Sequence, residues 1–406
     1  MTVEGTCTEQ FAQVREEFER SFAERGEVGA AVCVTYRGET VVDLWGGTAD
    51  PTDGRAWERD TLTHVWSATK GATALCAHML ASLGELDLNA PVVAYWPEFA
   101  KHGKDAVLVR HLLNHQAGLP AVREPLAPGS FYDWQRMVDA LAQEEPFWKP
   151  GTRNGYHALT FGYLVGEVVR RVSGVSLGTF FRERVAEPLG LDFWMGLPEE
   201  HEPRVAPTLA ADITAPGIAL PSLYTQAFTD PTSIAGMMLV NNGGYMTVPG
   251  ESNSRAAHAA EIGAVGGITN ARGLAGMYAP LSLGGGDLVS ADQLALMAAV
   301  SSATSVDAVL QVPSRFSLGF VKSIDNSYLP AADSEGIQLS EEAFGHVGMG
   351  GSLGFADPRA GFSFGYVMNQ QGIGLAVNPR GQSLVDAVYR AIGYRQVGDH
   401  GSWYTT

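Results

Sequence analysis

The chain has 406 residues, 45% of them hydrophobic and only 17% charged, and its 44 acidic against 27 basic side chains give a formal net charge of -17. That apolar content supports a large core and excludes a mainly disordered chain. The acidic balance excludes duplex nucleic acid as a partner, because such binding rests on clustered Lys and Arg, and the length suits two lobes better than one.

The first 20 residues are acidic where a signal peptide would show a basic start and an apolar run, and no apolar stretch reaches the roughly 18 residues of a membrane span. No membrane span is expected, and the location expected is cytoplasmic. Phe11, Val14, Phe18 and Phe22 then recur at helical spacing and predict an amphipathic first helix. Two Val-rich runs, Gly29 to Tyr36 and Glu39 to Trp45, meet at Arg37-Gly38 and read as a hairpin. From Ser67 to Leu83 an apolar helix lacks a strongly polar face, which predicts burial on most sides.

Between residues 89 and 265 the pattern changes to helices joined by Pro- and Gly-rich loops, among them Val109 to Leu113 and Leu159 to Val172. Strands return after Gly266-Gly267-Ile268-Thr269: Phe316 to Val321, Phe344 to Gly348, Ser352 to Ala356 and Gly361 to Met368. A closing helix carries Leu384, Val388 and Ile392 on one face. The sequence thus predicts a discontinuous α/β domain, residues 1–88 plus 266–406, with a mainly helical domain at 89–265 inserted in it. Cys7, Cys33 and Cys76 lack metal-type spacing and are expected as free thiols, Cys33 and Cys76 in the core.

Ser67-Ala68-Thr69-Lys70 is an S-x-x-K at the start of the buried helix. Residues three apart share a helix face, so the Lys70 amine can lie beside the Ser67 hydroxyl, and burial lowers an amine's pKa until it becomes a usable base for a serine nucleophile. The competing reading has Lys70 reaching solvent and Ser67 capping the helix. Tyr156, followed by His157 and Ala158, ends a loop before a helix and would serve as base and then acid if nearby cations lowered its pKa. Alone, such a tyrosine is more often a packing residue. The run from Gly345 through His346, Gly348 and Met349 to Ser352 is a Gly-rich strand end that brings substrate close to backbone, offers a second N–H to an oxyanion and aims His346 into a cleft; a tight turn with a satisfied histidine is the alternative.

Together these segments resemble the family VIII carboxylesterases, which share the fold of class C β-lactamases and penicillin-binding proteins. The resemblance extends through His111-Leu112-Leu113-Asn114-His115-Gln116-Ala117-Gly118-Leu119, Pro150-Gly151-Thr152, Tyr163-Leu164-Val165-Gly166, Glu187-Pro188-Leu189-Gly190-Leu191, Gly266-Gly267-Ile268 and Gly350-Gly351-Ser352-Leu353-Gly354-Phe355. It implies a β-lactamase/transpeptidase-like α/β (α+β) fold, an antiparallel sheet flanked by helices with an all-α insertion. It also implies Ser67 as the acylated nucleophile, Lys70 as its proton partner, Tyr156 as the catalytic tyrosine, and the backbone N–H groups of Ser67 and Met349 as the oxyanion hole. His346-Val347-Gly348 would replace the lactamases' Lys-Thr-Gly. Ala158 stands where the lactamases have an Asn that orients the acylamino group, and both departures point away from antibiotics and toward simple esters.

Ser176 and Ser352 each sit in a G-x-S-x-G, but neither has the strand, helix and later acid and histidine that a nucleophile elbow needs. His111, His115 and His157 lack the Glu or Cys partners of a zinc site, so no metal is expected. Phe131, Tyr132, Trp134, Phe147 and Trp148 cluster in the helical insertion, and core packing is their readier role. Tyr132 and Trp134 are carried as substrate contacts with His346, Gly348 and His157. The function expected is a cofactor-independent serine esterase acting on short- to medium-chain esters, its oligomeric state open, a homo-oligomer included. β-Lactamase, amidase or D-aminopeptidase and acyltransferase are its rivals on the same fold, and a non-catalytic interaction protein its rival from another class.

Overall fold

A computed structural model describes residues 2–214, 217–398 and 401–405. The hairpin forms as strands β2 (Gly29–Tyr36) and β3 (Glu39–Asp50), turning through Arg37 and Gly38, both at positive φ as a tight right-twisted hairpin requires. An edge strand β1 (Val3–Cys7) pairs with β3, and the C-terminal third supplies β4 (Phe344–Val347), β5 (Leu353–Asp357) and β6 (Phe362–Met368). The order is β1-β3-β2-β6-β5-β4, antiparallel throughout, so β2 and β6 join the two ends of the chain at the sheet centre.

Side chains alternate across this sheet. Ala30, Val32 and Val34 with Phe362, Phe364 and Tyr366 pack with Phe11, Val14 and Phe18 beside α1 (Ala12–Glu24) and with Leu384 and Val388 of α5 (Pro379–Ala391). Ala31, Cys33 and Val367 face a second, larger core built on α2 (Thr69–Ser82), α3 (Phe161–Ser173) and α4 (Ala271–Ser282). A Cβ on Gly365 would stand 2.2 Å from the Ala271 carbonyl, so glycine there lets α4 lie directly on the sheet. Every residue of α2 from Thr69 to Leu80 is buried, as its unbroken apolar character predicts.

From Val92 to Ala259 the elements are α- and 3₁₀-helices, one π-helical turn at Arg182–Ala186 and two short strands, Phe193–Met195 and Val205–Ala206. Those two join Leu62–His64 and Gly267–Thr269 in a second, four-stranded sheet that the sequence does not announce. Its Leu62–His64 strand leads directly into Ser67. The strand predicted over Phe316 to Val321 ends at Phe316, pairing with Ser302–Thr304. Beyond it Gly319, at φ +93° and against the Ala74 side chain, turns the chain so that the Leu318 carbonyl meets a ring nitrogen of the buried His78 at 2.7 Å.

One buried ion pair ties the two termini together. Glu27, before β2, takes a hydrogen bond from Arg380 of α5 at 2.9 Å and another from the Tyr366 hydroxyl of β6. Replacing Arg380 with Ala strands the carboxylate, which should lower unfolding free energy by about 3–5 kcal/mol. Burial already pushes the Glu27 carboxyl up. Without the guanidinium, protonation relieves the stranded charge, so the deficit should shrink as pH falls. Chemical denaturation of both proteins at mildly acidic and mildly alkaline pH measures this; an equal deficit at both would contradict it.

Candidate active site

Ser67 lies in a single 3₁₀ turn, Trp66–Ala68, that runs into α2. The turn is entered through a strained backbone, for Trp66 has φ +49°, which a bulky residue seldom adopts. Surrounding contacts hold it there. The Trp66 ring lies 4.4 Å from His64, and the Thr69 hydroxyl donates to the Trp66 carbonyl at 2.5 Å while accepting from Gly267 N–H at 2.8 Å. The four-stranded sheet therefore fixes the position of the serine.

Lys70, one helical turn on, is fully buried. Its Nζ stands 3.1 Å from Ser67 Oγ, 2.6 Å from the Ala158 carbonyl and 3.0 Å from the Ala264 carbonyl. Desolvation pushes the amine well below the ordinary lysine range. A neutral amine has two N–H donors and one lone pair. In that neutral form the two carbonyls take both donors and the lone pair faces the Ser67 hydroxyl, whereas a charged amine would donate to all three neighbours. This geometry excludes the reading in which Lys70 reaches solvent.

Tyr156 approaches the same hydroxyl from the loop before α3 and lines one cavity with Ser67. Its backbone N–H donates to Asp307 Oδ1 at 2.9 Å. Asp307 is fully buried and also accepts from the N–H groups of Val309 and Leu310 and from the Ser314 hydroxyl. The ring stacks parallel to Phe316 at 5.8 Å, and Lys70 Nζ lies 4.8 Å from its centroid. The sequence-based expectation that cations would lower the phenol's pKa is reversed. Burial pushes the phenol up, and the nearest candidate cation, Lys70, is itself held toward neutrality.

His157, expected to contact substrate, braces the Tyr156 loop from inside. It is fully buried, its Nδ1 lies 2.7 Å from the Gly155 carbonyl, its Nε2 accepts from Leu119 N–H at 3.0 Å, and its backbone N–H donates to His115 Nδ1 at 3.1 Å. His111 Nδ1 likewise accepts from the backbone of Leu108. Among the described residues no group of three or more His, Cys, Asp or Glu side chains is placed to hold a metal ion. Tyr132 donates to Glu251 at 2.5 Å and the Trp134 indole to Glu167 at 2.8 Å; neither ring lines the cavities around Ser67.

The end of β4 closes the site from the other side. A Cβ on Gly348 would fall 2.2 Å from the Val65 carbonyl, so this strand end lies directly against the turn that carries Ser67. Among the described residues no acceptor is found for the N–H of Ser67 or of Met349. His346 is buried beside Tyr156, its Nδ1 2.8 Å from the Val347 carbonyl and its Nε2 without a partner among the described residues. Nδ1 therefore carries the hydrogen and Nε2 is a bare acceptor. Burial, then Lys70, pushes the imidazole down to about 3, so acid does not charge it in the ordinary range.

Ser176 caps the helix Leu177–Phe181 and donates to Glu261 at 2.8 Å, and Ser352 is sealed in the core. Ser67, by contrast, opens with Tyr156, Ala158 and Met349 into a cavity of about 570 Å³, otherwise walled by apolar side chains such as Leu223, Met238, Leu239 and Val309. Asp307 and the two carbonyls that hold Lys70 escape sequence reasoning. A lone Asp in Val306-Asp307-Ala308-Val309-Leu310 is the one trace that could have drawn notice.

The β-lactamase family model matches residues 14–388. The chain is 35% identical over 377 residues to the esterase/β-lactamase LipL of Mycobacterium tuberculosis, spanning 90% of this chain and 82% of that protein. A crystal structure of a family VIII carboxylesterase superposes with a TM-score of 0.84 at 38% identity, covering 96% of this chain and all of the other. EstA from Arthrobacter nitroguajacolicus Rue61a superposes with 0.81 at 32%, covering 97% and 99%. A serine on the turn that opens a buried helix, a lysine in that helix, a tyrosine facing them and a sheet edge closing the cleft thus accompany a match over most of the sequence, and the chain belongs to the β-lactamase family.

Proposed function

We propose that this serine hydrolase cleaves short- to medium-chain carboxylic esters through an acyl-enzyme on Ser67. The observation that carries the reading is the buried Lys70 amine, whose Nζ lies 3.1 Å from Ser67 Oγ and is held by the Ala158 and Ala264 carbonyls. Lys70 accepts the Ser67 proton as Oγ attacks the ester carbonyl, whose oxygen takes the negative charge between the N–H groups of Ser67 and Met349. Tyr156, a phenol kept protonated by burial, donates its proton to the departing alkoxide and regains one from Lys70. Water then attacks the acyl-enzyme by the same route reversed. The apolar walls of the Ser67 cavity suit an uncharged acyl group, and Ala158 and the neutral His346 offer a β-lactam neither an amide contact nor a cation. Among the described residues no helix is long and apolar enough to cross a membrane. Three free thiols, two of them buried, support a reducing compartment, the cytosol.

Ser67→Ala should abolish hydrolysis of p-nitrophenyl butyrate, while Ser176→Ala and Ser352→Ala retain most of it; the opposite pattern would remove the assignment. Lys70→Ala and Tyr156→Phe should each lower kcat by roughly 10²- to 10⁴-fold, and the double variant by far less than the product, since both act in one proton relay.

The pH profile follows from the same groups. The active form needs a free amine, so kcat should fall as pH drops through the depressed Lys70 pKa and hold at higher pH, where the raised phenol stays protonated. Hydrolysis of a chromogenic cephalosporin should be slow, by roughly 10²- to 10⁴-fold in kcat/KM relative to a site with both polar groups. Its ratio to ester hydrolysis should stay constant from about pH 5 to 8, because His346 remains neutral until about 3. A ratio that climbs on acidification would show that His346 charges in this range.

A further inference from the structure

Two larger openings adjoin the Ser67 cavity, and they differ in chemistry and in which catalytic groups they touch. One, of about 760 Å³, lies behind Tyr156, His346 and Phe316 and touches neither Ser67 nor Met349; Arg315, Asp333 and Glu335 lie in its wall. The other, a groove of about 1350 Å³, begins at Trp66 and Met349 and shares Tyr224, Leu239 and Met246 with the Ser67 cavity. It touches neither Tyr156 nor His346, and among the described residues none that lines it is charged.

The charge pattern extends beyond the lining. Between Arg204 and Glu251 the only charged residues are Asp212 and Asp230, in a chain that is otherwise strongly acidic. The rim of the groove exposes large apolar side chains instead: Phe228 is 53% and Val248 52% accessible, and Ile213 42%. Side chains of this kind left in water at the mouth of a cavity that continues to the nucleophile suit an extended apolar ligand.

The chemistry of acyl transfer assigns the two sides. A departing alkoxide must be reached by the Tyr156 phenol, so the alcohol leaves on the side of Tyr156 and His346. The acyl group stays bonded to Ser67, with its oxygen toward the Met349 N–H, and its chain runs the other way. We infer that the uncharged groove between Met349, Tyr224 and Val248 is an acyl subsite for long or bulky uncharged acyl groups, and that the chain discriminates its substrates chiefly by the acid part of the ester. This rests on the esterase reading above and extends its range beyond the acyl groups that the Ser67 cavity holds by itself.

The test uses two ester series on the intact protein: p-nitrophenyl acetate, butyrate, octanoate and decanoate, and ethyl, hexyl and decyl acetate. Each methylene moved from water onto an apolar wall is worth about fourfold in binding, so kcat/KM of the wild type should climb along the acyl series past octanoate. The double variant Phe228→Asp, Val248→Asp puts two charges on the exposed rim and should lower the decanoate-to-acetate ratio of kcat/KM by about 15-fold or more, the loss of roughly two methylene contacts. Its decyl-to-ethyl acetate ratio should match the wild type's. An acyl series that stops rising at butyrate in the wild type overturns the subsite without needing a variant. So does a double variant that lowers the decyl acetate ratio and spares decanoate, which would give the groove to the alcohol. In either case Ser67-dependent acetate hydrolysis would leave the esterase reading standing; its absence with every ester would remove both.

Discussion

An amine buried with no carboxylate to pair it holds its proton poorly, and at Lys70 this desolvation organises the whole cleft. The two carbonyls that satisfy it come from residues 88 and 194 positions further along the chain, Ala158 before α3 and Ala264 before the Gly267–Thr269 strand. Helical insertion, small sheet and central helix must therefore all be in register before the lysine has partners. The same desolvation governs the neighbours. His115, His157 and His346 are all buried and all held below the ordinary imidazole range, and none of the three would tolerate a proton without giving up a backbone hydrogen bond or gaining an unpaired charge. The site is a cluster of nitrogen bases kept neutral by burial and by one another.

That neutrality separates this cleft from one built to receive an anion. The acidic excess of the chain leaves no carboxylate in the wall of the Ser67 cavity, and His346 presents a bare nitrogen acceptor where a permanent cation would attract a carboxylate. Recognition is consequently left to shape and apolar contact. In the proposed mechanism charge would appear only transiently, between the paired N–H groups and the relay, where low local dielectric makes each hydrogen bond count for more.

Periodicity over a dozen residues makes an element legible, and shorter pieces fall silent. The first helix, the hairpin, α2 and the closing helix can each be read from apolar spacing, and the S-x-x-K needs only helical geometry to bring serine and lysine together. The strands of the second sheet are two or three residues long, too short for alternation to register, yet they fix the turn that carries Ser67. Val3–Cys7 has mostly exposed side chains, with only Val3 and Cys7 packed against the core, and joins the sheet chiefly through its backbone. Asp307 acts on backbone N–H groups, which leave no imprint on side-chain pattern. His157 misleads for the same reason: a histidine next to the tyrosine proposed to be catalytic suggests contact with substrate, but its ring nitrogens are occupied by main chain 2 and 38 residues away.

The pairing of β2 with β6 also bears on how the molecule is made. Gly29 donates to the side chain of Asn369, 340 residues distant, and the centre of the main sheet consists of such contacts. During synthesis the N-terminal hairpin emerges early, with the flank of β2 that will meet β6 unpaired and its apolar faces uncovered until nearly the whole chain has left the ribosome. Loop closure over so many residues makes the final docking slow relative to local helix formation. Assembly of this enzyme should therefore depend on keeping that early hairpin from pairing with another chain, a demand on the cell's chaperones set by topology alone.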